Sequence, residues 1–163
     1  MITYKQLELK DWSHFKSLRL ESLEDSPENF SSSYMEEQKY TDEQFKDTLK
    51  NNNIFGAWSE DSLIGLVGFY KSKQLKVSHK GIIWGVYVKD TYRTHGVASK
   101  LIEMLITEAK KNKIELLQLS VNTNNIKALN FYKKYGFNIY GTEIKATKID
   151  EKYYDEYLMY LAL

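Results

Sequence analysis
A chain of 163 residues with 42% hydrophobic and 28% charged side chains is long enough for one domain with its own core and short for two. Lys and Arg number 23 against 22 Asp and Glu, so a formal charge of +1 gives no global field for nucleic acid or anionic lipid. With no Cys, a disulfide framework, a thiolate zinc site and a cysteine nucleophile are excluded, and His14, His79 and His95 lack the spacing of a histidine-built metal site.

No apolar run approaches the ~18 residues of a membrane span. Residues 1–6 lack the apolar stretch of a secretory signal, so the expectation is a soluble cytoplasmic protein with no nucleic-acid, membrane or metal partner.

Residues 2–7 alternate as a first strand. Asp11 then suits the N-cap of a helix carrying Phe15, Leu18, Leu20 and Leu23, which ends near Ser26-Pro27. Residues 28–40 mix three consecutive serines with aromatics and acids, as in a loop or broken helix over a cleft. Thr41 to Gln44 has a capping-box pattern and opens a second helix, with Phe45 and Leu49 four apart and Asn51, Asn52 and Asn53 at its close. Residues 54–58 and 63–70 pair as a hairpin in which Gly65 and Gly68 mark a close approach or a bulge. The basic segment 71–80 is a solvated connection to a third strand of this region, 82–88.

Beyond residue 92 the hydrophobic period changes from two to ~3.6, with Val97, Leu101 and Leu105 on one stripe of a long helix. Residues 114–121 form a strand. Asn124 and Asn125 cap a helix bearing Ala128, Leu129, Phe131, Tyr132 and Tyr135, and Gly136 stands where a left-handed C-cap is expected. Residues 137–144 and 153–163 are the last two strands. The order β-α-α-β-β-β-α-β-α-β-β predicts an α/β (α+β) domain over residues 1–163, one mixed, curved sheet with about four helices.

Chemistry concentrates between Val86 and Ser99, where a strand passes through a short loop into the strongest helix. Only Arg19 and Arg93 are arginines. Gly96 can take positive φ and Ala98 is small, so loop and first helical turn can present free N–H groups and the positive end of the helix dipole to a phosphate. A tight turn with no ligand would use the same glycine. The glycine patterns of P-loops and of dinucleotide-binding folds are both missing.

These residues resemble the GNAT superfamily of acetyl-CoA-dependent N-acetyltransferases. The family's loop motif is Arg or Gln, two residues, Gly, one residue, then Gly or Ala, and Arg93, Gly96 and Ala98 match it. A second motif is matched by Asn125, Ala128, Phe131, Tyr132, Gly136 and Phe137. The resemblance covers almost the whole chain and implies a GNAT-like sheet, splayed between residues 114–121 and 86–88, with acetyl-CoA as co-substrate. By position, it implies that Val86, Tyr87 and Val88 pair with the pantetheine arm. The backbone of Arg93, Thr94, His95, Gly96, Val97, Ala98 and Ser99 would hold the pyrophosphate. Asn125 would contact the pantetheine or cysteamine end beside Ala128, and Tyr132 would protonate the departing thiolate. A phenol near the sulfur suits that role, although a Tyr on an apolar helical face, one of 13, is equally explained as core. Asn125 is equally explained as an N-cap. The N–H of Val88 or a neighbour would serve as oxyanion donor.

An amine with pKa near ~10.4 must lose a proton before it attacks. Many family members carry a carboxylate on the strand 82–88, and this one has none. A water chain to a distant acid is therefore expected, with Glu143 favoured over Glu36, Glu37, Asp155 and Glu156, and with His79 as another relay. Phe30, Tyr34, Trp84 and Tyr153 are expected to wall the acceptor pocket. The expected partner is a small-molecule primary amine; a peptide amine (protein N-terminus or lysine) and a non-catalytic CoA-binding sensor are the alternatives. The aromatic segment 153–160 suits either a homodimer interface or a monomer core.

Overall fold
The computed structural model describes residues 1–163. In chain order it has β1 (Ile2–Gln6), α1 (Trp12–Asp25), α2 (Tyr34–Glu37), α3 (Asp42–Asn51), β2 (Asn53–Ser59), β3 (Ser62–Lys71), β4 (Lys80–Val88), α4 (Val97–Lys111), β5 (Leu116–Asn122), α5 (Ile126–Lys134), β6 (Asn138–Ile149) and β7 (Lys152–Ala162). The seven strands make one open sheet in the order β1-β2-β3-β4-β5-β7-β6. Every neighbouring pair is antiparallel except β4 and β5, which are parallel. The mixed sheet and element order are those expected; α2, a four-residue turn capped by Ser33, is the helix beyond the expected four.

Strand alternation divides the core between the two faces of the sheet. Phe55, Val67 and Val88 pack under α4 with Val97, Leu101 and Leu105. Their strand neighbours Ile54, Leu66 and Tyr87 pack on the other face with Phe15 and Leu18 of α1 and Phe45 and Leu49 of α3. Leu105 is wholly buried, which stabilises the fold by roughly 1.5–3 kcal/mol. No helix is long and apolar enough to cross a membrane.

Three local expectations resolve. The capping box of α3 forms, with Thr41 Oγ1 accepting from the Gln44 N–H at 3.2 Å and Gln44 Oε1 accepting from the Thr41 N–H at 2.7 Å. Asp11 stands at the N-cap of α1 without capping it: its carboxylate accepts from the Glu8 N–H at 2.8 Å and from Lys5 Nζ at 3.1 Å, closing the preceding 3-10 turn instead. Gly65 and Gly68 are places of close approach, where a Cβ would stand 3.1 Å from Val97 and from the Trp84 ring. Gly65 also adjoins a bulge, because Ala57 stands opposite Gly65 and Trp58 opposite Leu63, which leaves Ile64 as the extra residue.

β6 runs five residues beyond the expected end at 144. Ile144, Lys145 and Ala146 stand against Asp155 alone, Lys145 takes φ 53°, and its N–H donates to Asp155 Oδ1 at 2.7 Å. This bulge, three residues against one, interrupts the ladder and conceals the strand's second half.

Candidate active site
β4 and β5 pair only at Lys80 with Leu116, Gly81 with Leu117 and Ile82 with Gln118. Past Ile82 they part, and one edge of β4 lies open. On the other edge the register passes from Gly68 opposite Trp84 to Leu66 opposite Tyr87, so that Gly85 and Val86 together face Val67. Gly85 carries this bulge at φ 69°. The Lys89 N–H donates to the Ile64 carbonyl at 2.9 Å, so alternation turns the N–H and C=O of Val88 toward the open edge. The Val88 carbonyl accepts from Arg93 Nε at 2.9 Å. Its N–H faces the slot.

At the end of β4 the chain enters α4 through Gly96, which has φ 72°. A Cβ there would meet nothing within 4 Å, so the backbone angle and not crowding calls for glycine. The N–H groups of Arg93 and His95 are already bonded to the carbonyls of Asp90 and Tyr92, which narrows the expected cradle. Those of Thr94, Gly96, Val97, Ala98 and Ser99 have no partner within the chain. Together with the N-terminal dipole of a 15-residue helix they form a basin for an anion. The Val97 side chain is buried in the core, so only its backbone is available.

Arg93 braces this turn. Its Nη1 donates to Asp90 at 3.1 Å and its Nη2 to Asp25, at the end of α1, at 3.0 Å. Tyr87 donates its hydroxyl proton to the same Asp25 oxygen at 3.1 Å. The Tyr87 and Arg93 hydrogen bonds hold the Asp25 carboxyl below the usual carboxylate range. Burial first, and Asp25 second, raise Tyr87 far above an ordinary phenol.

Between the parted strands lies a cleft of about 590 Å³. Val86, Tyr87, Val88, Arg93 and Ala98 line one side, Asn125, Ala128 and Tyr132 the other, with Phe30 and Trp84 at one end. Burial raises Tyr132, and no side-chain hydrogen bond contributes, so it keeps its proton well above neutral pH. Asn125 caps α5 by accepting from the Ala128 N–H at 3.2 Å, and its Nδ2 donates to Asn29 at 3.2 Å. Asn122 Nδ2 donates to the Glu28 carbonyl at 3.1 Å, so the ends of β5 and α5 strap the 27–29 turn over the cleft. Trp84 is fixed by a 3.0 Å bond from Nε1 to Asn52.

The carboxylate on this cleft is Glu156 of β7, which is 8% exposed. Burial raises its pKa, and the charge of Glu143, its cross-strand partner, raises it further. Glu143 itself is exposed and outside the cleft, which corrects its assignment as the favoured acid. The other named acids are engaged elsewhere: Glu36 with Ser33, Glu37 with Arg19 and Asp155 with the β6 bulge.

Tyr34 and Tyr153 do not wall the pocket. Tyr34 begins the short helix α2, and Tyr153 lies an odd number of residues before Glu156 and so points to the opposite face of β7, with Lys145 Nζ 4.6 Å over its ring. His79 is also outside, and its carbonyl accepts from the Glu115 and Leu116 N–H groups. Sequence reasoning missed Gly85 and Asn122. It noted Arg19 only for its rarity, yet both arginines of the chain line the cleft.

A parted parallel pair, a bulged strand and an open glycine turn define a class of fold that the chain shares with known proteins. The family model described as "Acetyltransferase (GNAT) family" matches residues 15–137, and the chain belongs to this family. Over 114 residues it is 28% identical to streptothricin acetyltransferase of Escherichia coli, covering 70% of this chain and 63% of that protein. Over 78 residues it is 36% identical to the L-amino acid N-acetyltransferase AaaT of Escherichia coli K12, covering 47% and 48%. The matches thus span less than two thirds of these relatives. A GNAT-family acetyltransferase from Streptococcus pneumoniae superposes with a TM-score of 0.89 at 26% identity, with 100% of both chains covered. The fold is also that of yncA from Salmonella typhimurium, solved with acetyl-CoA, at a TM-score of 0.87 and 12% identity over 100% and 94% of the two chains.

Proposed function
We propose that the protein transfers acetyl from acetyl-CoA to the primary amine of a small molecule, by direct attack in a ternary complex. The observation that carries this is the open edge of β4, which runs from Ile83 into the unpaired N–H groups of Thr94 and residues 96–99. The names of the streptothricin and L-amino acid relatives favour a small acceptor. A second reading, a peptide N-terminus, is favoured by 32% identity over 74 residues, 45% of this chain and 42% of that protein, to N-alpha-acetyltransferase 30 of Saccharomyces cerevisiae.

The residues present fit the co-substrate. The Val86 backbone would hold an amide-bearing arm at the open edge, while that of Tyr87 faces Leu66 on β3 and the Val88 carbonyl is held by Arg93. The Gly96 turn would hold a diphosphate, and Asn125 and Ala128 the arm's far side. When bound, acetyl-CoA supplies an acyl carbon activated by a thiolate leaving group. Glu156 takes the proton that the ammonium must lose, directly or through one water; its raised pKa brings it closer to the working pH than an exposed carboxylate. The Val88 N–H donates to the carbonyl oxygen as negative charge develops there. Tyr132 donates its phenol proton to the departing sulfur. One C–N bond forms and one C–S bond breaks. Of the two protons the nitrogen loses, the one taken by Glu156 is returned through solvent to the tyrosine oxygen, and the second, shed by the nitrogen once the C–N bond has formed, is released to solvent.

Thiol release from acetyl-CoA with a panel of primary amines tests the reading. Glu156→Gln is expected to lower kcat by roughly a hundredfold or more, with acetyl-CoA affinity by calorimetry nearly unchanged. Full turnover in this variant would remove Glu156 as the base, and binding of acetyl-CoA without thiol release from any amine would remove the transferase reading.

A further inference from the structure
Guanidinium groups are seldom buried unless every donor is matched, yet Arg19 in the middle of α1 exposes only 7% of its side chain. Its Nε and Nη2 each donate to one oxygen of Glu37 at 3.0 Å, a two-pronged pair that cancels the charge. The rings of Trp84 and Phe30 lie over the group at 5.2 and 5.4 Å. Its third nitrogen, Nη1, is buried with no hydrogen-bond partner. That nitrogen stands 3.7 Å from where a Cβ on Gly85 would be, beside the bulge that faces the cleft. A purely structural tie between α1 and α2 accounts for Nε and Nη2 and leaves Nη1 unexplained.

Arg19, Ser32 and Trp84 also border a second chamber of about 270 Å³, walled by Phe15, Tyr40, Phe45 and Tyr70. This is smaller than the ~300–1,000 Å³ of pockets that take a whole ligand, and suits one substituent of a ligand. Arg19 thus sits where the acetyl-transfer cleft meets a small aromatic chamber, with one donor to spare.

We propose that Arg19 selects the acceptor: Nη1 donates to the oxygen of a neutral carbonyl on the carbon beside the reacting amine, and the substituent on that carbon enters the chamber. The acceptor class is the α-amine of an amino-acid amide or short peptide. Charge decides between neutral and ionised partners. Arg19 and Glu37 cancel, and Lys127 stands on α5 next to Ala128, on the arm's side of the cleft, so Glu156 is the charge left for a single ammonium to balance. A free amino acid would add a carboxylate opposite a guanidinium already neutralised. A plain alkylamine or polyamine would leave Nη1 buried and unpaired.

This rests on the acetyl-transfer reading, and the experiment separates the two. Thiol release is measured with alaninamide, leucinamide and phenylalaninamide, each beside the amine lacking the carbonyl and the free amino acid, with rates referred to unprotonated amine. The amides are expected to exceed the plain amines in kcat/KM by about 10- to 100-fold, the penalty of an unmatched buried donor, and to exceed the free acids. In the double variant Arg19→Gln, Glu37→Gln, whose two changes remove both charges together, the amide preference is expected to fall close to parity while acetyl-CoA affinity holds. Where that variant does not fold, binding of the N-acetylated amides and N-acetylated plain amines to the unaltered protein decides, since neither carries an ionisable amine. Equal use or equal binding of amides and plain amines, or a preference for free acids, overturns the role of Arg19. No thiol release from any amine overturns the transfer reading itself.

Discussion
At Glu156 two influences act in the same direction: burial on β7 disfavours the anion, and Glu143 across the ladder repels it. A carboxylate raised in the folded state binds its proton more tightly there than in the unfolded chain. The stability this confers is complete below the unfolded value of about 4.3 and is lost as pH rises through the folded one. In the proposed transfer the same shift is an advantage, because a base nearer neutrality suits an ammonium donor. Glu143→Gln removes the smaller influence and leaves the burial. The acidic limb of the kcat/KM profile is therefore expected to move to lower pH, with the plateau retained. A limb that stays in place or moves upward would show that Glu143 does not act on the base. Sequence alone placed Glu143 and Glu156 among the candidates and favoured Glu143; both stand on strands, and only the fold buries one and exposes the other.

At the scale of elements, the turn into α4 was legible because chemistry restricts it: a glycine at φ 72°, a small Ala98 and a strong apolar period behind them. The box at Thr41 and the cap at Asn125 were legible for the same reason, as short side chains satisfying named backbone donors. The bulges at Gly85 and Lys145 were not. Gly85 lies in an apolar run that looks like an uninterrupted strand, and the bend in β6 is carried by Lys145, a residue type with no turn signature. Gly96→Val tests the turn directly. A β-branched side chain in the left-handed region costs roughly 1–2 kcal/mol, and the open space around that position adds no clash. The domain is expected to fold with a slightly lower Tm. Relief of the strain would rotate the amides of Gly96 and Val97 away from the phosphate, and acetyl-CoA affinity by calorimetry is expected to fall about tenfold or more, the equivalent of one lost charge-assisted hydrogen bond. Unchanged affinity would move the diphosphate site away from this turn.

Over the whole molecule, the parting of β4 from β5 divides the sheet into two parts, β1 to β4 under α1 and α3, and β5 to β7 beside α5. Three residue pairs, the packing of α4 and the bonds of Asn122 and Asn125 to the 28–29 turn join them. Composition and period cannot show that parting, because a strand with one open edge carries the same apolar residues as a strand paired on both; only the resemblance implied it. A ligand seated along the slot bonds to both parts and so links what the sheet leaves weakly joined. Acetyl-CoA that binds the folded chain alone adds about 2.7 kcal/mol to its stability at a hundred times Kd. For a domain of this size each kcal/mol raises Tm by about 2–4 °C, so a melt followed at that ratio is expected to shift upward by roughly 5–11 °C. Gly96→Val at the same ligand concentration is expected to lose part of this shift, because its Kd is weaker. A melt that acetyl-CoA leaves unmoved at millimolar concentration would mean that the slot does not receive it. The open edge of β4 would then need another occupant, since unpaired strand amides beside an apolar cleft are tolerated only where water or a ligand meets them.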